Sequence, residues 1–331
     1  MTNRQKTQFW PVLLSTIIAA GVAHAADAKV SGPSDPDFAV QGEYAGTLTT
    51  PDGPVKIGVQ VIALGEGKFR AVGCRGGLPG DGWDGSAKHE VEGATADGVT
   101  RFQGEQRRAE IRNGVMRVTA SSNEGSGDQT VLGDLKKAER KSPTLGEKPP
   151  AGAVVLFDGS SVDQFDPGKI EDHLLVAGAT SKRKFQGCTL HVEFLLPFMP
   201  AARGQGRGNS GVYLQGRYEV QMLDSFGLVG ENNECGGIYE IKSPDVNMCF
   251  PPLSWQAYDI DYTAARYEGE KKVKNATMTV RHNGVLIHED VELPRATRAA
   301  PVAEGSAPGP IYLQDHGNPV RYRNIWLVEH P

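Results

Sequence analysis

Residues 209–225 read NSGVYLQGRYEVQMLDS, and their period-two alternation decides the fold class. The runs 211–215 and 218–223 each alternate as strands do. In the second, Tyr218, Val220 and Met222 point one way while Arg217, Glu219 and Gln221 point the other. Similar short runs recur on both sides, at 154–157, 190–196, 257–263, 276–282, 285–291, 310–314 and 321–328. Asn283-Gly284 is a two-residue hairpin signal between two of them. Eight or more strands with no helical period between them predict a sandwich or jelly roll and exclude a βαβ fold.

Further upstream, residues 40–136 carry shorter alternating runs punctuated by turn residues. The runs 41–49 and 55–64 flank Thr50-Pro51-Asp52-Gly53, and 107–112 and 115–120 flank Asn113-Gly114. This pattern predicts a small antiparallel β domain, sheet or barrel, over 38–138. Residues 73–85 hold six glycines and read as a long loop, in which Trp83 suits a loop staple better than a sugar platform. Between the two β regions, 139–152 (ERKSPTLGEKPPAG) is polar, proline-bearing and without alternation, so a linker is expected there, followed by a second domain over 153–331. The 41 glycines and 21 prolines agree with an all-β chain.

The N-terminus reads differently. Arg4 and Lys6, an apolar run over 9–20 and Ala23-His24-Ala25 form the three parts of a cleavable signal peptide over 1–25. The expectation is therefore a secreted or periplasmic protein with no stable membrane anchor after cleavage. Loss of those two cations takes the formal net charge from −5 to −7, and a mildly acidic chain without a basic patch makes nucleic acid a poor partner. Four cysteines suit an oxidising compartment without making a disulfide scaffold. Cys235 and Cys249 share one glycine- and proline-rich segment and are expected to staple it as a disulfide. Cys74 and Cys188 are expected as buried thiols. No close pair of cysteines or histidines has zinc spacing.

Chemistry-bearing residues concentrate in the second domain. Glu219 and Gln221 share a strand face that Asp224 extends, with Tyr213 on the preceding strand. Tyr312, Gln314 and His316 share a face near the end of the chain. Aromatic, amide and imidazole groups together suit a polyhydroxylated ligand, and His316 is the side chain best suited to proton transfer near neutral pH. Arg321 and Arg323 alternate with Tyr322, Asn324 and Trp326, giving a cationic face able to steady a carboxylate or an enolate oxygen, or to form an ordinary cross-strand ion pair. Asp259 and Asp261 are too few for a calcium site and read as a solvated face. The glycine loop 204–208 precedes a strand rather than a helix, so it reads as a mobile loop over the groove and not as a phosphate cradle.

The segments LFDG (156–159), NSGVYLQGRYEVQMLDSFG (209–227), NECGGIY (233–239), VNMCFPPLSWQAYDIDYTAARY (246–267) and PIYLQDHGNPVRYRNIWL (310–327) resemble, in order, the signatures of the 3-keto-disaccharide hydrolase domain family. The resemblance covers about residues 150–331. It implies a concanavalin A-like jelly roll and a carbohydrate ligand whose sugar is already a C3 ketone. It also implies cleavage by C2 proton abstraction, β-elimination and hydration. On that basis Glu219 and His316 are the expected acid and base, with Gln221, Gln314, Tyr213, Asp224, Arg321 and Tyr312 binding the sugar or its enolate. A divalent metal as oxyanion partner is compatible with this chemistry, but no ligand set stands out. A non-catalytic glycan-binding module on the same jelly roll is the alternative, because a fold does not fix a function.

Overall fold

A computed structural model describes residues 30–120 and 130–330, so the expected signal peptide lies outside the described residues. A short helix, α1 (Pro36–Val40), is capped by Asp35, whose carboxylate accepts from the Asp37 amide. It leads into β1 (Gly42–Thr50), β2 (Gly53–Gly65), β3 (Lys68–Arg75) and β4 (His89–Ala96). Then come β5 (Val99–Gln103), β6 (Arg107–Arg112), β7 (Val115–Ala120) and β8 (Val131–Ala138). These eight strands pair in chain order and close, β1 against β8, into a barrel. Tyr44, Val61, Phe69, Phe102, Met116 and Leu135 are buried at its centre, so side chains fill the interior, as expected at this strand number. Asn113 and Gly114 both have positive φ (48° and 73°), the geometry that a two-residue turn between β6 and β7 requires.

The second region is a two-sheet jelly roll built from antiparallel strands. Its early strands are β9 (Val154–Phe157), β10 (Ile170–Glu171), β11 (Leu174–Val176), β12 (Ala179–Phe185) and β13 (Gly187–Leu195). The middle ones are β14 (Ser210–Leu214), β15 (Tyr218–Met222), β16 (Trp255–Thr263), β17 (Arg266–Glu268) and β18 (Lys271–Lys274). Last come β19 (Ala276–His282), β20 (Val285–Leu293), β21 (Gly309–Leu313) and β22 (Arg321–His330). The larger sheet runs β10-β11-β22-β13-β16-β19-β20, with β9 also on β22; the smaller runs β12-β21-β14-β15. Between them lies one core, to which Leu190, Val192 and Phe194 contribute from β13 and Tyr218, Val220 and Met222 from β15. The alternation of β15 therefore puts Glu219 and Gln221 on the outer face of the small sheet. That of β13 puts His191 and Glu193 on the outer face of the large one.

Among the register shifts, the one between β13 and β22 rearranges the expected faces. Asn324 has φ 44°, and the β13 pairing shifts there, so that two residues of β22 oppose Val192 alone. This bulge leaves Tyr322, Ile325 and Leu327 in the core and brings Arg323, Asn324 and Trp326 together outside, correcting the expected grouping of Tyr322 with Asn324 and Trp326.

Within the expected linker 139–152, residues 142–147 lie against this outer face as a strap. The Gly146 amide donates to Glu193 Oε1 (2.5 Å), Thr144 Oγ1 to Asp259 Oδ2 (2.9 Å), and Asn324 Nδ2 and Trp326 Nε1 to the Glu147 carbonyl (3.0 and 3.3 Å). At the start of the linker Arg140 pairs with the buried Glu43 of β1, donates to the Pro79 carbonyl (2.7 Å) and covers the Phe250 ring (4.9 Å). Barrel, glycine loop and jelly roll are thus tied at one residue.

Candidate active site

Gly211 on β14 lacks the side chain that would fill the space above it, and Glu219 of the neighbouring β15 occupies that space; a Cβ at 211 would come within 2.0 Å of Glu219 Oε1. The Glu219 carboxyl is 2 % exposed. Tyr213 Oη donates to its Oε2 at 2.6 Å, and Gln314 Nε2 donates to the same phenol at 3.3 Å. The Gln221 amide lies on the other side, and with its nitrogen toward Glu219 it donates to Oε1 (3.1 Å) and to the Ser210 carbonyl (2.7 Å). Burial raises the Glu219 pKa to about 8 against the opposing Tyr213 hydrogen bond. Among the described residues no cation pairs with it. A carboxyl so placed is protonated at neutral pH and is a strong base once ionised. Gly211→Ala is expected to displace it and remove activity while the circular-dichroism spectrum stays β-rich.

The other expected site residues fall in different places. Gln221, Tyr213 and Gln314 surround Glu219, and half-buried Tyr312 packs its ring 5.4 Å from that of Tyr213. Tyr213 is itself fully buried, so it positions the carboxyl and offers no face to a sugar. Asp224 is withdrawn from any ligand by a buried ion pair with Arg207 (2.6 Å). Arg321 belongs to the other sheet, where it pairs with Glu171 (2.5 Å), because β22 lies beside β13 and not beside β15. His316 does not share a strand face with Tyr312 and Gln314: β21 ends at Leu313, and His316 lies on an exposed turn where Gly317 donates to Asp315.

Cys235 and Cys249 stand as buried free thiols in mutual contact, not as a disulfide, and Cys235 Sγ lies 3.2 Å from Tyr258 Oη. Cys74 and Cys188 are also buried free thiols; burial pushes Cys188 up to about 12. The glycine loop is anchored, since Arg207 donates to the Ala63 carbonyl of the barrel (3.1 Å) and Gln205 to the Asn233 carbonyl (2.8 Å). Gln205 and Asn233, which sequence reasoning missed, both reach Gln221. Their signal is tertiary, because a turn and a loop meet a strand.

A second polar cluster occupies the outer face of the large sheet. His191 Nδ1 bonds Asp259 Oδ1 (2.6 Å), its ring stacks on Trp326 (5.0 Å between centroids), and Glu193 accepts from Arg323 Nε (2.6 Å) and Asn324 Nδ2 (2.9 Å). Burial opposes charge on His191, but the hydrogen bonds and charges of Asp259 and Glu193 outweigh it and raise its pKa to about 9. Asp259 is thus a partner of the imidazole and not a solvated acid. Glu147, His191 and Asp259 bring ligand atoms within 4.8 Å of one another, the one such group among the described residues. A cation there would have to replace the imidazolium proton. The jelly-roll core separates this cluster from Glu219.

Residues 152–328, just over half of the chain, match the 3-keto-alpha-glucoside-1,2-lyase-like domain family. The chain belongs to this family. Its jelly roll is the lyase-like domain, and the barrel lies outside the matched residues. A solved structure described as a candidate glycosyl hydrolase, from Parabacteroides distasonis, is 32% identical with a TM-score of 0.51, over 55% of this chain and 85% of that chain. Two others of the same description and organism are 17% and 18% identical, with TM-scores of 0.41 and 0.37. Each covers 54% of this chain, and 94% and 99% of its own. No curated protein matches the chain.

Proposed function

We propose that this carbohydrate-active protein cleaves 3-keto-glycosides on the outer face of the small sheet, with Glu219 as the proton-transferring group. The observation that carries the proposal is a buried carboxyl with a phenol and an amide beside it and, among the described residues, no cation to lower its pKa. A C3 ketone acidifies the C2 proton. The Glu219 carboxylate takes that proton, the C2–H electrons form the C2=C3 enolate, and collapse of the enolate restores the ketone, forms C1=C2 and breaks the bond from C1 to the aglycone oxygen. The aglycone leaves with a proton, which the newly formed Glu219 carboxylic acid can return; water then adds across the enone. This path needs one base and one oxyanion partner, unlike the two spaced carboxylates of ordinary glycosidases. Gln314 and Tyr312, both partly exposed, are the groups nearest to hand for sugar hydroxyls, Gln221 holds the carboxyl, and His316 on its exposed turn is the alternative proton donor. A secreted or periplasmic location, read from the N-terminus, fits a protein meeting glycosides outside the cytoplasm.

The deciding experiment is aglycone release from a chromogenic 3-keto-glucoside. Below about pH 8 the rate should rise roughly tenfold per pH unit and then level off, as the Glu219 carboxylate becomes populated. Tyr213→Phe removes the hydrogen bond that lowers this pKa, so its profile should shift to higher pH with the plateau largely retained. Binding without release by the wild type would leave a glycan-binding module. A flat profile would remove Glu219 from the chemistry.

A further inference from the structure

Between the barrel and the jelly roll lies a cleft of about 210 Å³, walled by Ile62, Leu64 and Arg70 from the barrel and by Arg203, Gln205 and Arg207 from the loop before β14. Phe226 and Leu228 complete an apolar floor. The volume is below the roughly 300–1,000 Å³ of pockets that enclose a drug-sized ligand, and suits a single ring.

Its polar wall is short of anions. Arg207 is 5 % exposed; its Nε is spent on Asp224 and its Nη1 on the carbonyls of Ala63 and Pro200 (3.1 and 3.2 Å), while Nη2 is buried with no acceptor among the described residues. A buried guanidinium with an unused N–H pair is costly unless something supplies oxygens to it. Among the described residues Arg203 donates only to the carbonyls of Leu64, Pro200 and Ala202 and has no carboxylate partner. Burial and the like charges of Arg207 and Arg70 lower its pKa. Arg70 reaches Glu90 and Glu92 only at 3.5 and 3.4 Å, in solvent. Of the acids on the wall, Asp224 is committed to Arg207, and Glu234 accepts from the amides of Gly230 and Glu231.

The cleft adjoins the Glu219 face. Gln205, on its wall, places its Oε1 3.0 Å from the end of the Gln221 side chain, the amide beside Glu219. We infer that the cleft is the subsite for the leaving group, and that it selects aglycones whose single ring bears an anionic group, carboxylate or phosphate, held by Arg203, Arg207 and Arg70. The planar arginine fork matches the paired oxygens of either anion, and the apolar floor receives the ring. The inference rests on the proposed cleavage reaction and gives the barrel a part in it, since without Ile62, Leu64 and Arg70 the cleft has one wall.

Two measurements test it. The first compares kcat/KM for the 3-keto-glucosides of 4-hydroxybenzoate, of its methyl ester and of 4-hydroxyphenyl phosphate. The anionic aglycones should be preferred by at least about tenfold, the larger of the two preferences naming the anion. In Arg203→Gln/Arg70→Gln that preference should fall toward one, the loss in kcat/KM falling on the anionic aglycones far more than on the ester. The second is calorimetric binding of free 4-hydroxybenzoate and phenyl phosphate to the whole protein, which does not depend on cleavage. Cleavage with no anion preference, or free-anion binding unchanged in the double variant, overturns the cleft. Anion binding lost in the double variant, with no 3-keto-glucoside cleaved, sustains the anion site and overturns the reaction.

Discussion

Glu219→Gln is expected to lower turnover of a 3-keto-glucoside by at least about 10²–10⁴-fold, the usual contribution of a positioned acid or base. The amide keeps the volume and an oxygen for the Tyr213 hydroxyl but cannot take a proton. Loss should therefore fall on kcat more than on KM. The same substitution makes a second, opposite prediction for stability. The folded carboxyl binds its proton more tightly than the unfolded one, with a pKa of about 8 against an ordinary 4.5. Its favourable contribution is complete below 4.5 and is lost as pH rises through 8, by up to about 1.4 kcal/mol per pH unit. The glutamine variant escapes this loss. Its urea midpoint should stay near the wild type's at pH 5 and exceed it at pH 9. An active variant, or a variant less stable at pH 9, would refute the assignment of a buried, proton-holding carboxyl.

Glu193→Ala is expected to cost about 1–3 kcal/mol of unfolding free energy, because it strips the Gly146 amide and Asn324 Nδ2 of their acceptor, while the partly exposed Arg323 turns to water and His191 keeps Asp259. Glu193 is fully buried and accepts from Arg323, Asn324 and the strap amide of Gly146, and lies 3.5 Å from His191. Burial works against its charge, but the hydrogen bonds from His191, Asn324, Gly146 and Arg323 win and hold its pKa at about 2. Its contribution is present above 4.5 and fades as pH falls toward 2. That of His191, whose folded pKa is about 9, is complete below 6.5 and fades as pH rises through 9. The clamp is therefore tightest between about pH 4.5 and 6.5. Urea unfolding of wild type and variant at pH 5.5 and at pH 9.5 should show the larger difference at pH 5.5. The strap should also become more open to protease near Leu145 in the variant. Equal stability of the two proteins would mean that the strap merely lies on the sheet.

Both predictions turn on residues whose alternation was legible while their neighbours were not. The period-two pattern at 218–223 is enough to put Glu219 and Gln221 opposite Tyr218, Val220 and Met222. The Asn-Gly pairs mark the hairpins of β6–β7 and β19–β20, because both turn positions need positive φ. The all-β class and the family motifs were likewise readable, since they depend on local order along the chain. Pairing between strands distant in sequence was not. Nothing in 310–328 says that β21 joins the small sheet while β22, a few residues later, crosses to the large one, which separates Arg321 from Glu219. Nor does local pattern announce the bulge at Asn324, which exchanges the faces of β22 midway.

The linker shows the same division in reverse. ERKSPTLGEKPPAG has the composition of a spacer, and composition describes what a segment can do when nothing covers it. Only the folded sheet presents Glu193, Asp259 and Asn324 to it, and those partners turn it into a strap. By itself, then, the sequence determined strands, turns, faces and family, all properties of neighbours along the chain. The tertiary structure decided which faces meet, and with that the buried solitude of Glu219, the commitment of Asp224 to Arg207, and the cleft shared with the barrel. The reason is physical. A pKa or an unsatisfied guanidinium is set by desolvation and by charges within a few ångströms, and in a two-sheet fold those neighbours come from strands far apart in sequence.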